Sequence, residues 1–386
     1  MPARKSCAVV ESMTPLMQAK ADDWSQPILK DGLDLGGHDR VLVFAPHPDD
    51  ESIACGGLLQ VARAAGAAVR VIVLTDGDNN PWPQRWIERR WRIGPAERAR
   101  WGARRREEAR AAMRVLDIAE ADACFLGLPD LGLTDVLMRA DPQIVESLRG
   151  HIDEFVPTWL VLPALSDRHP DHSATHILAR LALARCKASA PQLLTFAVHG
   201  QMPTQGGVAV GLSEAQRSIK QAAILAHASQ MRLSQRRFLR YAGLSESYQV
   251  VPDAHLDDPQ HPLHAGVDAG GILRARIDLR RWNAGLRNQV LFCAIESQSQ
   301  GSVRRLIRLD MHSPQVDVRD GAAGTVVEQA TSQRSATELT MSIPLSDLGV
   351  LRQGYAKLAP ARPGWRVFDR FGWQAITFPE PGAGTT

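Results

Sequence analysis

The chain has 386 residues, of which 44% are hydrophobic and 23% charged, proportions typical of a soluble globular protein with two or three domains. Its net charge of +3 gives no general case for nucleic-acid binding, and no apolar run is long enough to cross a bilayer. The five cysteines are scattered and form no C-x-x-C pair, which predicts reduced thiols and a cytoplasmic location. Residues 1–37 are weakly patterned and are predicted to be a lead-in without a signal peptide.

A short apolar run after this lead-in is followed at once by a cluster of ionisable side chains. Residues 41–45 predict a buried strand, and two prolines then force an extended or turning backbone around His47, Asp49 and Asp50. Catalytic zinc takes imidazole and carboxylate ligands and leaves one position for water. We therefore expect His47 and Asp50 to face one metal, with Asp49 free to act as a base. The plain alternative is a polar turn of the kind found in any α/β protein.

The next part of the chain alternates between strand and helix patterns. The predicted elements are a helix at 52–65, a strand at 69–74, a helix at 105–116, a strand at 124–128, a helix at 142–155, a strand at 159–165, a helix at 174–186 and a strand at 193–199. This alternation predicts a Rossmann-like α/β fold, with a mainly parallel sheet and helices on both faces.

Residues 78–103 interrupt this alternation with four tryptophans among many arginines. Such a mixture suits stacking on sugar rings or gripping an anionic group, and favours a lid on the substrate side. The alternative is an amphipathic helix with buried tryptophans and solvated arginines.

A second ionisable cluster follows the strand at 159–165. It contains His169, Asp171 and His172, of which His172 supplies a third metal ligand and His169 a further imidazole in the same cleft. Asp171 is expected to orient one of the histidine rings. Asp130, just after the strand at 124–128, is either an acceptor for a sugar hydroxyl or an ordinary turn aspartate.

With these motifs the sequence resembles the PIG-L/LmbE-like zinc-dependent N-deacetylases, over about residues 39–250. PHPDDE at 46–51 and HPDH at 169–172 resemble the two family motifs. The resemblance implies that His47, Asp50 and His172 bind Zn²⁺, with Fe²⁺ as another divalent option. It also implies that Asp49 is the general base, and that His169 polarises the amide carbonyl or, if protonated, stabilises the oxyanion.

Two further features follow from the same resemblance. Arg105 lies in an Arg-x-x-Glu helix and is predicted to bind substrate, although it is also one of three consecutive arginines expected at the helix start. The expected activity is removal of acetyl from an N-acetylated amino sugar. The alternatives are hydrolysis of another amide on a sugar-containing secondary metabolite, and a carbohydrate-binding protein with a structural metal.

The C-terminal third has a different pattern. Residues 252–262 are polar and bounded by prolines, which predicts a linker between a deacetylase domain at 38–251 and a smaller β-rich domain at 263–386. Alternating apolar residues in the latter predict an antiparallel β-sandwich. All predicted catalytic residues precede this domain, so we expect it to serve substrate delivery or assembly, including oligomer formation.

Overall fold

A computed structural model describes residues 32–187, 189–200, 207–251, 261–268, 271–282, 288–296, 302–308, 314–344, 351–360, 368–376 and 378. The predicted lead-in lies outside the described residues up to position 31, and the predicted linker does so from 252 to 260. Among the described helices, none has the length and apolar character that a bilayer crossing requires.

Within the described residues, seven strands form the first sheet. They are β1 (Arg40–Ala45), β2 (Ala68–Thr75), β3 (Ala123–Leu128), β4 (Trp159–Pro163), β5 (Gln192–Phe196), β6 (Gly207–Gly211) and β7 (Ser245–Val250). Their order is β3-β2-β1-β4-β5-β7-β6, and the first five run parallel, whereas β7 is antiparallel to both of its neighbours. The parallel-rich α/β sheet predicted from the sequence is confirmed.

Nine α-helices accompany this sheet within the described residues. They are α1 (Asp50–Ile53), α2 (Gly56–Ala64), α3 (Pro81–Glu88), α4 (Pro95–Val115), α5 (Leu133–Arg139), α6 (Pro142–Phe155), α7 (Pro170–Leu183), α8 (Glu214–Ala226) and α9 (Ala228–Leu239). Both faces of the sheet are covered, because Val41 and Val43 of β1 belong to one apolar core while Leu42 and Phe44 belong to another. A buried strand with two apolar faces is what a continuous hydrophobic run encodes.

Helix α4 differs from the sequence prediction in where it begins. It starts at Pro95, ten residues before Arg105, with Gly94 N–H donating to Glu97 Oε2 at 3.1 Å. A proline in the first turn and an acidic residue at the third position favour a helix start there. Arg105 therefore lies in the middle of a helix, buried, and not at its start.

The part of the chain that the structure describes also contains a second, antiparallel sheet of nine strands. They are β8 (Leu263–Val267), β9 (Ile272–Asp278), β10 (Asn288–Glu296), β11 (Ser302–Arg308), β12 (Gln315–Asp320), β13 (Val326–Arg334), β14 (Glu338–Pro344), β15 (Leu351–Pro360) and β16 (Gln374–Ala375). The order β16-β15-β10-β11-β12-β13-β14-β9-β8 is one continuous sheet, and β8 at one end lies against β15 and β16 at the other. This barrel-like closure around one core replaces the predicted sandwich. Alternation within a strand identifies its buried face, but not which strands close the sheet.

The outer face of this β-rich region packs onto the first sheet's helices. Tyr355 and Trp373 are buried in the same apolar cluster as Leu133 and Leu137 of α5. The Arg304 guanidinium Nε donates to the Leu137 carbonyl at 2.9 Å. A loosely attached accessory domain would not need to share a buried apolar core with its neighbour.

Candidate metal centre

The two ionisable clusters lie at the same edge of the first sheet. Strands β1 and β4 are parallel neighbours, with Val41 paired to Trp159 and Val43 to Val161, so their carboxyl ends emerge side by side. The loop after β1 carries His47, and the loop after β4 leads into α7, which carries His172. The carboxyl edge of a parallel sheet is where open α/β folds bind their ligands.

Three side-chain atoms form a small triangle at this edge. His47 Nδ1 lies 3.2 Å from Asp50 Oδ2, His172 Nε2 lies 3.2 Å from the same oxygen, and the two ring nitrogens are 3.3 Å apart. Three ligands at about 2.0 to 2.2 Å from one tetrahedral ion are separated by about 3.3 to 3.6 Å. The triangle therefore fits a divalent metal with a position left open. Two imidazoles and one carboxylate suit zinc and ferrous iron alike.

Carboxylates behind the two rings fix their tautomers. His47 Nε2 lies 3.2 Å from Asp171 Oδ2 and 3.3 Å from Asp130 Oδ1. His172 Nδ1 lies 3.1 Å from Asp167 Oδ2. A proton on each of these outer nitrogens leaves the inner nitrogens with lone pairs aimed into the triangle, the usual arrangement behind a metal-bound histidine.

Two other groups that include His47 also have ligand atoms within 4.8 Å of one another, one with His169 and His172, the other with Asp130 and Asp171. The second group faces Nε2 of His47, on the far side of the ring from the triangle. Asp171 is further engaged by the backbone N–H groups of Leu131 at 2.6 Å and Leu133 at 3.0 Å. We therefore favour the triangle as the metal position.

The charges around the triangle favour a bound cation. Burial works against a charged His172 ring, but Asp50 and Asp167 raise its pKa to about 10. Burial likewise opposes charge on Asp50, yet His172 and His47 hold the pKa of that carboxyl well below its usual range. In the metal-free protein these carboxylates therefore favour a second proton, on the inner nitrogen of each ring, and a metal that binds there must displace it.

Asp49 stands beside the triangle in a strained loop. Its φ of 135° lies outside the region favoured by non-glycine residues, and its N–H is held by Glu51 Oε2 at 2.9 Å. Burial raises the pKa of the Asp49 carboxyl to about 6, although the nearby Arg105 works in the opposite direction. A carboxylate with a pKa near neutrality is suited to general-base work.

Arg105 lies behind Asp49, with its two terminal nitrogens directed at protein acceptors. Nη2 donates to the Pro48 carbonyl at 2.6 Å and to Asp49 Oδ2 at 3.0 Å, and Nη1 donates to the Gly77 carbonyl at 2.7 Å. Gly77 has a φ of +60°, and a Cβ there would come within 1.7 Å of Arg105 Nη1. This position indicates that Arg105 holds Asp49 in place, and the predicted substrate contact stays a prediction.

His169 is the N-cap of α7, and its Nδ1 accepts from the Asp171 N–H at 3.3 Å. Burial and the neighbouring His47 ring place the pKa of His169 well below its ordinary value. The ring is therefore neutral with its proton on Nε2, so it can donate a hydrogen bond without being the protonated imidazolium considered from the sequence.

Asp130, predicted as a sugar-hydroxyl acceptor, is buried and already engaged. One oxygen faces His47, and the other accepts from the Asn79 N–H at 2.6 Å. These contacts place Asp130 with the residues that orient His47, and its predicted role toward substrate is untested.

Sequence reasoning missed three residues of this site. Asp167 lies two residues before the second motif, but only the structure shows that it accepts from His172 and from the Val198 and His199 N–H groups. The His199 ring is centred 5.2 Å from that of His172. Phe368 comes from the β-rich region, with its ring centred 5.8 Å from that of His169 and 4.7 Å from that of His199.

Lys220 and Glu246 form a buried ion pair next to helix α2. Glu246 accepts from the Gly57 and Leu58 N–H groups at 2.6 and 2.8 Å, and so caps the first turn of α2. Lys220 Nζ pairs with the same carboxylate at 2.5 Å, in a fully buried position. These residues hold the helix that follows the first motif.

The fold and site together define an α/β protein with a buried two-histidine, one-carboxylate centre at the carboxyl edge of its sheet. Residues 42–183 are a PIG-L domain, matching the family described as "PIG-L: GlcNAc-PI de-N-acetylase".

Two curated relatives illustrate the similarity. The chain is 31% identical over 155 residues to 2'-N-acetylparomamine deacetylase of Streptomyces fradiae, which covers 37% of this chain and 52% of that protein. It is 30% identical over 191 residues to 1D-myo-inositol 2-acetamido-2-deoxy-alpha-D-glucopyranoside deacetylase of Saccharomonospora viridis, which covers 44% of this chain and 66% of that protein. The chain thus spans between half and two thirds of the length of these relatives.

Among solved structures, the A40926 pseudoaglycone deacetylase Dbv21 matches with 22% identity and a TM-score of 0.44, over 56% of this chain and 99% of that one. A TM-score of this size adds no argument about function.

Proposed function

We propose that the chain is a metal-dependent N-deacetylase that acts on an N-acetylated amino sugar. The observation that carries the proposal is the triangle of His47 Nδ1, Asp50 Oδ2 and His172 Nε2, with the Asp49 carboxylate beside it and not paired to either histidine. The PIG-L domain and the deacetylase names of both relatives support the same conclusion.

His47, Asp50 and His172 would hold the metal, which when bound polarises the amide carbonyl and lowers the pKa of water. Asp49 accepts a proton from the attacking water and then passes one to the departing nitrogen, so that the products are acetate and a free amine. The neutral His169 donates from Nε2 to the carbonyl oxygen as negative charge develops on it. Arg105 keeps the Asp49 carboxylate oriented between these two proton transfers.

The contacts of the β-rich region suggest more than a delivery role. Phe368 lies against the His169 and His199 rings, and the Asp369 N–H donates to the Arg168 carbonyl at 2.8 Å, directly before the second motif. We therefore propose that this region forms part of the substrate wall. The domain limits at 38–251 and 263–386, oligomer formation through the second domain and a cytoplasmic location remain predictions.

The proposal is tested by measuring acetate release from a panel of N-acetylated sugars and amine release from other sugar amides. Activity on acetylated sugars that a chelator abolishes and zinc or ferrous iron restores supports it. Activity confined to non-acetyl amides would favour the alternative hydrolase. Metal binding without any turnover would favour a carbohydrate-binding protein, in which the metal is structural.

A further inference from the structure

Three tryptophans of one short segment, residues 82–91, are exposed to an unusual degree. Trp82 and Trp86 of α3 are 61% and 69% exposed, and Trp91, just after the helix, is 81% exposed. Large aromatic side chains are rarely left so open on a soluble protein unless they contact a partner. Trp101, in the same arginine-rich segment, is only 1% exposed, so one tryptophan of the segment is buried while the other three are not.

The outward position of these rings is fixed by how α3 packs. Pro83 and Gln84 are buried, and the Gln84 side chain donates to the Glu97 carbonyl of α4 at 2.7 Å. Arg100 of α4 pairs with Glu88 at the end of α3 at 2.6 Å. Because α3 is held by its polar face, Trp82 and Trp86, which are four residues apart, share the opposite, protruding face.

The same surface is strongly basic. Residues 81–100 contain six arginines and two glutamates, a net charge of +4, compared with +3 for the whole chain. Arg89 and Arg92 are exposed, and within the described part of the chain neither has a carboxylate partner. Helix α9, which packs against α3, adds exposed Leu233 at 45%. We call Trp82, Trp86, Trp91, Arg89 and Arg92 the Trp–Arg surface.

We infer that the Trp–Arg surface docks the protein onto an anionic membrane surface. Indole rings prefer the headgroup level of a bilayer, and arginines beside them are attracted to anionic lipids. A protruding helix face suits a flat lipid surface better than a sugar ring, because small-ligand sites are concave. Docking of this kind needs no membrane-spanning helix.

The position of the surface gives such docking a consequence for the active site. Asn79, two residues before α3, donates its N–H to Asp130, which in turn faces His47. A chain segment of three residues spans at most about 11 Å, so Trp82 lies close to the groups behind the metal position. Docking would therefore hold this edge of the first sheet near the lipid headgroups. The docking itself does not depend on the proposed activity.

The test is flotation of the full-length protein with vesicles that contain phosphatidylglycerol, against pure phosphatidylcholine vesicles as the reference. Wild type should float with the anionic vesicles at low salt and be released as salt rises. The W82A/W86A/W91A variant and the R89Q/R92Q variant should each bind at least about tenfold more weakly. Circular dichroism and metal content should match wild type, because the altered side chains are exposed.

Two control variants match these changes in chemistry but lie on the second sheet. V326A/V327A removes exposed apolar side chains from β13, and R274Q/R276Q removes two exposed arginines from β9; both should float like wild type. Equal flotation of all variants, or none by wild type, overturns the inference. The inference is also overturned if wild type does not float and the tryptophan variant loses self-association or binding of a soluble N-acetylated oligosaccharide. The surface would then serve that other partner.

Discussion

Replacing Arg105 with methionine removes the cation beside the Asp49 carboxylate while keeping a long side chain in the buried space. The two groups are joined at 3.0 Å, and both are buried. An adjacent guanidinium lowers a carboxyl pKa by about 1 to 3 units. Asp49 has a pKa of about 6 with Arg105 in place. We therefore expect the pKa of Asp49 to be about 7 to 9 in R105M. A bound metal would lower this pKa in both proteins, so the difference between them is the quantity to compare.

The assay is the pH profile of kcat/KM on an N-acetylated sugar. With less of Asp49 ionised at pH 7, R105M should be slower by about 2- to 100-fold, and activity should recover at alkaline pH. KM should change little. R104M is the matched control, because Arg104 lies on the same helix but is exposed and pairs with Glu108. If the acid limb of the R105M pH profile matched that of wild type and its KM were raised, this reasoning would be refuted. That result would favour the substrate-binding role predicted from the sequence.

The same variant has a predicted effect on the stability of the metal-free protein. The pKa of buried Asp49 is raised from 3.8 to about 6, so its ionisation destabilises the folded state as pH rises through that range. In R105M this loss should continue to the higher pKa, at about 1.4 kcal/mol per unit. The pH-dependent part of the unfolding free energy should therefore be the same in wild type and R105M below about pH 4. At alkaline pH it should differ between the two proteins by about 1 to 4 kcal/mol. Denaturant unfolding across pH measures it, and parallel curves would contradict it.

Other predictions concern the remaining groups of the site. D167N should weaken metal binding by about 10- to 100-fold, measured by competition with a chromophoric chelator, because it disturbs the partner of His172 Nδ1; unchanged affinity would remove Asp167 from that role. F368A should lower kcat/KM on the sugar by about tenfold at full metal content, with F368Y near wild type. Equal rates for all three proteins would place the β-rich region outside the substrate wall. Metal affinity, measured by calorimetry, should fall as pH falls, because protons compete on His172, whose pKa is about 10 without metal. A pH-independent affinity would contradict this displacement.

Much of the arrangement at the carboxyl edge of the first sheet could be predicted because it is encoded locally. Apolar runs before His47 and before the second motif identify parallel strands, and parallel neighbours bring their carboxyl ends together. The structure places His47 and His172 within 3.3 Å of each other, although they are 125 positions apart in the chain.

The parts that could not be predicted depend on contacts between distant segments. Phe368 reaches His169 from the β-rich region, and no pattern near Phe368 indicates such a contact. The buried position of Arg105 follows from a helix that begins earlier than its apolar stripe suggests. Likewise, alternation along β9 and β14 marks their buried faces, but the closure of the second sheet depends on its whole strand order.

The most direct test of the account is metal analysis of three purified, folded proteins, paired with acetate release. Wild type and D49N should each hold one divalent metal per chain, whereas the H47A/H172A variant should hold none. D49N should lose several orders of magnitude in turnover, because the base is absent while the ligands remain. A folded D49N without metal would make Asp49 a ligand, and metal retained by H47A/H172A would contradict the assigned centre.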